Sequence, residues 1–207
     1  MKLAVFDFDS TLMDGETIDL LAKANGSFDA VCAITKEAMG GGMNFHQSLK
    51  LRVATLKGMP LSKVYAVCEN LSYNPGAKEL ITTLKARGYR VVVFSGGFDE
   101  GVEAGKKILG YDTNFSNTLH HTDGILTGEV GGEMMFGYSK GRMLVKLQML
   151  LKVSPKDTIV IGDGANDISM FPYADKKIAF CAKPILREAA NIVIDEKNLM
   201  LIEKYLD

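Results

Sequence analysis

Lys2–Thr11 reads KLAVFDFDST. Leu3 to Phe6 are apolar and rich in strand formers, which predicts a short strand buried on both faces. Asp7 and Asp9 follow at once. A spacing of two would put them on one face of a continuing strand, and burying both charges without partners would cost several kcal/mol. The strand is therefore expected to end at Asp7, with the acid pair at its exposed carboxyl tip. Open α/β sheets bind ligands at that edge. Two acids there suit a divalent cation, proton transfer or a carboxylate nucleophile. A surface Asp pair closing a strand is the plainer alternative, and the rest of the chain decides between them.

The chain has 207 residues, enough for one large domain or a core with a small insert. Its 47% hydrophobic and 24% charged content is that of an ordinary globular protein. With a net charge of −1, no nucleic-acid or membrane footprint is expected, and no obligate protein partner is implied. Cys32, Cys68 and Cys181 are scattered and lack metal-site spacing, which predicts reduced thiols and a cytoplasmic location. The brief apolar run before Asp7 makes neither a signal peptide nor an anchor, and no segment reaches membrane-spanning length.

Working outward, Gly15 to Asn74 has a helical pattern and no convincing strand. Helices are expected over 17–24, 28–39, 45–57 and 61–71, broken by Gly40-Gly41-Gly42 and Gly58-Met59-Pro60, with Asn44 as an N-cap. A small helical domain, residues 15–74, is therefore expected as an insert in an α/β core of residues 1–14 and 75–207. In the core, a helix over 77–86 precedes a buried strand over 90–94 that ends in Ser95-Gly96-Gly97. A helix over 98–109, a hairpin turning at Asp123-Gly124, and a helix over 140–151 follow. A third buried strand over 158–161 ends in Gly162-Asp163-Gly164, and a helix begins at Asn166. Two short strands, 178–181 and 192–194, and a final helix over 199–206 complete the chain. Strands alternating with helices imply a Rossmann-like parallel sheet with right-handed crossovers. The three polar tips, DFDST, SGG and GDGAND, then share one sheet edge.

That convergence carries chemistry. Asp7, Asp9, Asp163 and Asp167 bring four carboxylates to one edge, and clustered acids repel unless a cation joins them. An all-oxygen set suits Mg²⁺, which takes further ligands from water and substrate phosphate. Ser95, Gly96 and Gly97, between strand and helix, can cradle an anion. Lys140 opens its helix, where a cation opposes the dipole, so something negative is expected beside it; a solvated surface lysine is the plainer reading. Together these parts are equipment for phosphoryl transfer through an aspartyl-phosphate.

In the insert, Phe45, Leu49, Arg52 and Leu56 fall on one helical stripe. Arg52 at its centre is either a snorkelling or ion-paired structural residue or a guanidinium that holds a substrate carboxylate. Glu16 suits the start of the first insert helix and, if it faces the same cavity, can hold an ammonium group. A phosphate clamp with a cation site and an anion site would fit a phosphorylated amino acid. His46, His120 and His121 read as surface or structural, Met39 and Met43 as core or cavity lining, and Asp123 as a turn residue.

DFDSTL, the SGG tip, Lys140 and GDGAND resemble the four motifs of the haloacid dehalogenase (HAD) superfamily. Glu16, FHQSLKLRVATLKG (45–58), NPGAKELITTLKARGYRVVVFSGGF (74–98) and DGILTGEV (123–130) are similar, more narrowly, to its phosphoserine phosphatase branch. The resemblance implies that Asp7 is the nucleophile and that Asp9 protonates the leaving oxygen and then activates water. It implies Mg²⁺ on the Asp7 side chain, the Asp9 backbone carbonyl and Asp163, with Asp167 supporting. Ser95, Gly96 and Lys140 would hold the phosphoryl group, and Asn166 would contact the substrate. Glu16 would bind the ammonium and Arg52 the carboxylate of O-phospho-L-serine, a small-molecule substrate whose hydrolysis ends serine biosynthesis. The insert would be a mobile cap. Two departures stand out: Asp99 follows SGGF where the family usually has a small hydroxyl residue, and Gly132–Ser139 is unlike the usual lead-in to the lysine.

The competing readings are a phosphatase or phosphotransferase for another small ester, a dehalogenase, and a non-enzymatic phospho-ligand binder. The dehalogenase would not need Asp9 as an acid. The binder could dispense with Asp7.

Overall fold

The computed structural model describes residues 1–206. Among them, strands β1 (Lys2–Phe6), β2 (Tyr89–Phe98), β3 (Thr113–Thr122), β4 (Ile125–Gly132), β5 (Thr158–Gly162), β6 (Lys176–Phe180) and β7 (Ile192–Ile194) form one sheet in the order β4-β3-β2-β1-β5-β6-β7. Every pair is parallel except β3–β4, the hairpin. Asp123 and Gly124 both have positive φ, at 51° and 75°, as its two-residue turn requires. Central β1 has Leu3 to Phe6 fully buried, since the parallel sheet is covered on both faces.

Eight α-helices accompany the sheet in the described residues: α1 (Thr17–Asn25), α2 (Phe28–Met39), α3 (Phe45–Ala54), α4 (Leu61–Cys68), α5 (Ala77–Ala86), α6 (Asp99–Leu109), α7 (Ser139–Leu151) and α8 (Pro184–Ala189). On one face of the sheet, Phe6, Val91, Val93 and Ile161 pack with Leu80, Leu84 and Val102. On the other, Val5, Val92, Phe94 and Val160 pack with Leu144, Met170 and Leu186. A third apolar cluster joins Leu21, Val31, Leu49, Val53 and Val64 of α1–α4 to Phe98, Leu119, Leu126 and Val130 of the sheet's hairpin side. The helical insert thus shares its core with the hairpin.

Asn44 caps α3 as expected. Its side chain accepts from Gln47 N–H while the Gln47 side chain accepts from Asn44 N–H, a reciprocal capping box. The helix stops at Ala54 rather than running to Lys57. The chain beyond it pairs with β4 instead: Gly58 N–H donates to Leu126 O, Leu126 N–H to Met59 O and Leu61 N–H to Gly124 O. The fourth insert helix ends at Cys68, three residues short of the expected 71.

Three further expectations are corrected. β2 does not end at Phe94 but continues through the glycine tip to Phe98, with a register shift against β3 between Phe94 and Phe98. The segment after Gly164 is a 3₁₀ helix, Ala165–Tyr173, which accommodates Pro172. The last helix, Leu199–Tyr205, is also 3₁₀.

The insert leaves and rejoins the core through two paired strands of chain. Met13 and Tyr73 form an antiparallel bridge, and Asp14 N–H donates to Ser72 O. The buried Asn74 amide donates to the carbonyls of Thr11 and Met13.

Candidate active site

The carboxyl tips of β1, β2 and β5 open into one cavity of about 530 Å³, walled by Asp7, Asp9, Gly96, Gly97, Asp163 and Asn166 from the core. The insert supplies Glu16, Met39, Met43, Phe45, Ser48 and Arg52 to the same cavity. The sequence expectation of one shared edge is therefore met, and Arg52 and Glu16 both face it.

Asp7 follows the last residue of β1. It is 4% exposed, and its Oδ1 accepts from Phe8 N–H at 2.7 Å. Beyond it, Phe8–Leu12 makes a single wide turn in which Ser10 takes a left-handed φ of 57°. That reversal brings Asp9 and Ser10 toward α1. Asp9 Oδ1 accepts from the Thr17 hydroxyl at 2.6 Å and from Thr17 N–H at 3.0 Å. Asp9 Oδ2 lies against Gly97, where a Cβ would stand 2.7 Å from it. The Ser10 hydroxyl donates to Glu16 Oε1 at 2.8 Å.

Lys140, in the first turn of α7, is 2% exposed. Its Nζ lies 2.6 Å from Asp7 Oδ1 and 2.6 Å from Asp167 Oδ1. A lysine can be buried this deeply only because two carboxylates face it, and they hold its pKa above the usual lysine value against the opposing effect of burial. Asp167 is fully buried, and its Oδ2 accepts from the N–H groups of Asp163 and Gly164. It fixes both Lys140 and the GDG tip. Glycine is required at 162, where a Cβ would fall 2.3 Å from the Asp167 carboxylate.

Carboxylate oxygens of Asp7, Asp163 and Asp167 lie within 4.8 Å of one another. Both Asp167 oxygens already accept hydrogen bonds, as does Asp7 Oδ1, so the oxygens most open to a cation are Asp7 Oδ2 and those of Asp163. Such an all-oxygen pair with room beside it fits a hard divalent cation that keeps water ligands. The electrostatics agree. Burial, then the neighbouring carboxylates of Asp167 and Asp163, push Asp7 well above the ordinary carboxyl range, with Lys140 pulling back. Burial and Asp167 raise Asp163 to about 6, and burial and Glu16 raise Asp9 to about 7. The crowded acids favour a cation or a proton.

At the SGG tip, Ser95 is fully buried and its Oγ accepts from Gly97 N–H at 2.9 Å. That amide is spent, so the anion cradle expected from three residues narrows to the Ser95 hydroxyl proton and Gly96. Gly96 itself lies under the Phe45 ring, with a hypothetical Cβ 2.8 Å from Cζ. Asn117 Nδ2 donates to Gly96 O and anchors the tip to β3. Asn166 is partly buried at the cavity wall. Arg52 Nε makes a long 3.4 Å contact to Ser48 O, which leaves the rest of the guanidinium fork for a ligand.

Four residues at the site were not singled out from sequence. Thr17 and Ser10 act on acids eight and six positions away through a turn that no spacing rule announces. Phe45 was placed on the stripe but not over the glycine. Lys183, ahead of α8, has its Nζ 3.7 Å from Asp163 Oδ2 and lines the cavity. Asp99, the departure after SGGF, turns away from the cavity and accepts from the hydroxyls of Ser116 and Thr118. His120 pairs loosely with Glu129 at the surface, and the three cysteines are free. No helix among the described residues is long and apolar enough to cross a membrane.

Comparison with known proteins gives concordant matches. A family model described as haloacid dehalogenase-like hydrolase matches residues 1–175. The phosphoserine phosphatase of Wolinella succinogenes is 61% identical over 206 residues, covering 100% of both chains. That of Methanocaldococcus jannaschii is 50% identical, covering 99% of this chain and 97% of its own. A solved structure described as a phospho-aspartyl intermediate analogue of phosphoserine phosphatase superposes with a TM-score of 0.94 at 50% identity, covering 100% of this chain and 99% of that one.

Proposed function

Since the chain belongs to the haloacid dehalogenase-like hydrolase family, we propose that it hydrolyses O-phospho-L-serine to L-serine and phosphate through a phosphorylated Asp7. The observation that carries this reading is the buried Lys140, held 2.6 Å from Asp7 beside a cavity that Glu16 and Arg52 also line. The Asp7 side of that space takes the phosphate, and Glu16 and Arg52 take the ammonium and the carboxylate. The full-length similarity to phosphoserine phosphatases, 61% identical in one of them, supports the same substrate.

The Asp7 carboxylate attacks phosphorus, the P–O bond to serine breaks, and Asp9 gives its proton to the leaving serine oxygen. An Asp9 with a pKa of about 7 can hold that proton near neutral pH and accept one in the next step. Water, deprotonated by Asp9, then attacks the acyl-phosphate. The aspartate is released with phosphate as product. Ser95, Gly96 and Lys140 hold the phosphoryl oxygens, Asn166 contacts the substrate, and Asp167 keeps Lys140 charged and in place. Asp7, Asp163 and the Asp9 backbone carbonyl would hold Mg²⁺, which supplies charge neutralisation between nucleophile and phosphate. Residues 15–74 serve as a helical cap over the core of 1–14 and 75–207, excluding water until the acyl-phosphate forms. The three unpaired thiols support a cytoplasmic setting, and release of serine fits a last step in serine biosynthesis.

The test is Mg²⁺-dependent phosphate release across small phosphomonoesters, with D7N as control. Phosphoserine should lead and the control should be inactive. Equal rates on all esters, or transfer to added homoserine in preference to water, would overturn the reading.

A further inference from the structure

The segment Gly132–Ser139, GEMMFGYS, plays no part in the chemistry above, yet it holds an unusual feature. The His46 ring stacks on Phe136 with centroids 4.7 Å apart and planes 19° apart. Phe136 stacks in turn on Tyr138 at 5.3 Å and 4°. The Arg142 guanidinium lies 5.4 Å from the Tyr138 ring centroid. This four-member column crosses from α3 of the insert to the segment leading into α7 of the core. Its inner end is next to Phe45, which covers Gly96, and its outer end lies on the exposed side of α7, whose buried side carries Lys140. The Nδ1 atom of His46 is buried without a hydrogen-bond partner. No polar contact at that atom fixes the ring, and Phe136 and Tyr138 are 42% and 51% exposed. Two large rings left so open have little apolar burial to hold them in the core, so stacking on one another and on His46 is what orders them.

We propose that His46, Phe136 and Tyr138 are positioning residues, an aromatic latch that holds the insert shut against the lysine-bearing side of the cavity. With the latch stacked, Phe45 and Arg52 on α3 stay in register with Lys140 on α7. The rings must part before a bound amino acid can leave. The inference rests on the phosphoserine reading for its kinetic readout, but its spectroscopic readout does not.

An offset-stacked pair contributes enough to change an opening equilibrium by about two- to ten-fold. Phe136→Ala should therefore raise KM for phosphoserine by about that factor without a matching fall in kcat, because the reacting groups are untouched. His46→Ala should do the same. The double variant should match Phe136→Ala alone, because removing Phe136 already removes the His46 contact. Phe136→Tyr should restore the parent KM. Independently of turnover, the chain has no tryptophan, so F136W places a single reporter in the column. Its emission should shift on adding His46→Ala. An unchanged KM in F136A, additive losses in the double variant, or an F136W emission indifferent to His46 would each overturn the latch. If the parent protein failed to turn over phosphoserine, the substrate reading would fall, while the F136W emission would still judge the stack.

Discussion

The Thr17 hydroxyl donates to Asp9 Oδ1 at 2.6 Å, so the first helix of the insert holds the acid carried by the first loop of the core. Both Thr17 hydrogen bonds favour the charged form and oppose the burial that raises Asp9 to about 7. Thr17→Val removes one of them and should raise the Asp9 pKa further. In the proposed mechanism the leaving-group step needs protonated Asp9, so the alkaline limb of kcat/KM should move to higher pH. A pH–rate profile of T17V that coincides with the parent's would contradict this role.

Lys140 bridges Asp7 and Asp167 in a space where it is 2% exposed. Lys140→Ala leaves two buried carboxylates without their counter-ion, which costs about 3–5 kcal/mol. Urea unfolding should register that loss, and phosphate release should vanish. K140M with D167N leaves less charge unpaired, so part of the stability should return while activity stays absent.

Stability should depend on pH with a definite sign. Between 3.8 and about 7, folded Asp9 keeps a proton that the unfolded chain has lost. The folded state then binds more protons, so its stability is fully present below the unfolded pKa and falls as pH rises toward about 7. Asp163, raised to about 6, adds in the same sense. Metal-free protein should melt at progressively lower temperature across that window. Added Mg²⁺ should raise the melting temperature more at the alkaline end than at the acid end. A Mg²⁺ effect that is largest at the acid end would count against a carboxylate cation site.

Arg52 faces the cavity, and its Nε makes a long hydrogen bond to Ser48 O. Arg52→Ala should raise KM for phosphoserine by about 10- to 100-fold, the loss of a charge-assisted contact worth about 1.5–3 kcal/mol. An ester lacking a carboxylate should lose little. Equal losses on both substrates would remove Arg52 from its assigned place.

Much of this was legible in the sequence for local reasons. The apolar run into Asp7, the glycine-bearing tips and the Asp123-Gly124 turn report on backbone requirements that neighbouring residues set alone. Asn44 announced an N-cap, though not the reciprocal bond from Gln47 that completes it. The extension of β2 to Phe98 was not legible, because it depends on pairing with β3 after a register shift. Nor was the early end of α3, where pairing with Leu126 competes with the helix. The links from Thr17 to Asp9 and from Ser10 to Glu16 depend on the left-handed φ at Ser10, which a serine does not announce. The expected anion cradle lost Gly97 for a similar reason, as a side-chain oxygen two residues away took its amide.

The most direct test is to quench the enzyme in acid during turnover of phosphoserine and locate covalent phosphate by mass spectrometry of its peptides. Phosphate on the Asp7 side chain, absent in D7N, is the expected result. Full turnover with no phosphate at Asp7 under rapid quench, or phosphate fixed on another residue, would contradict the account.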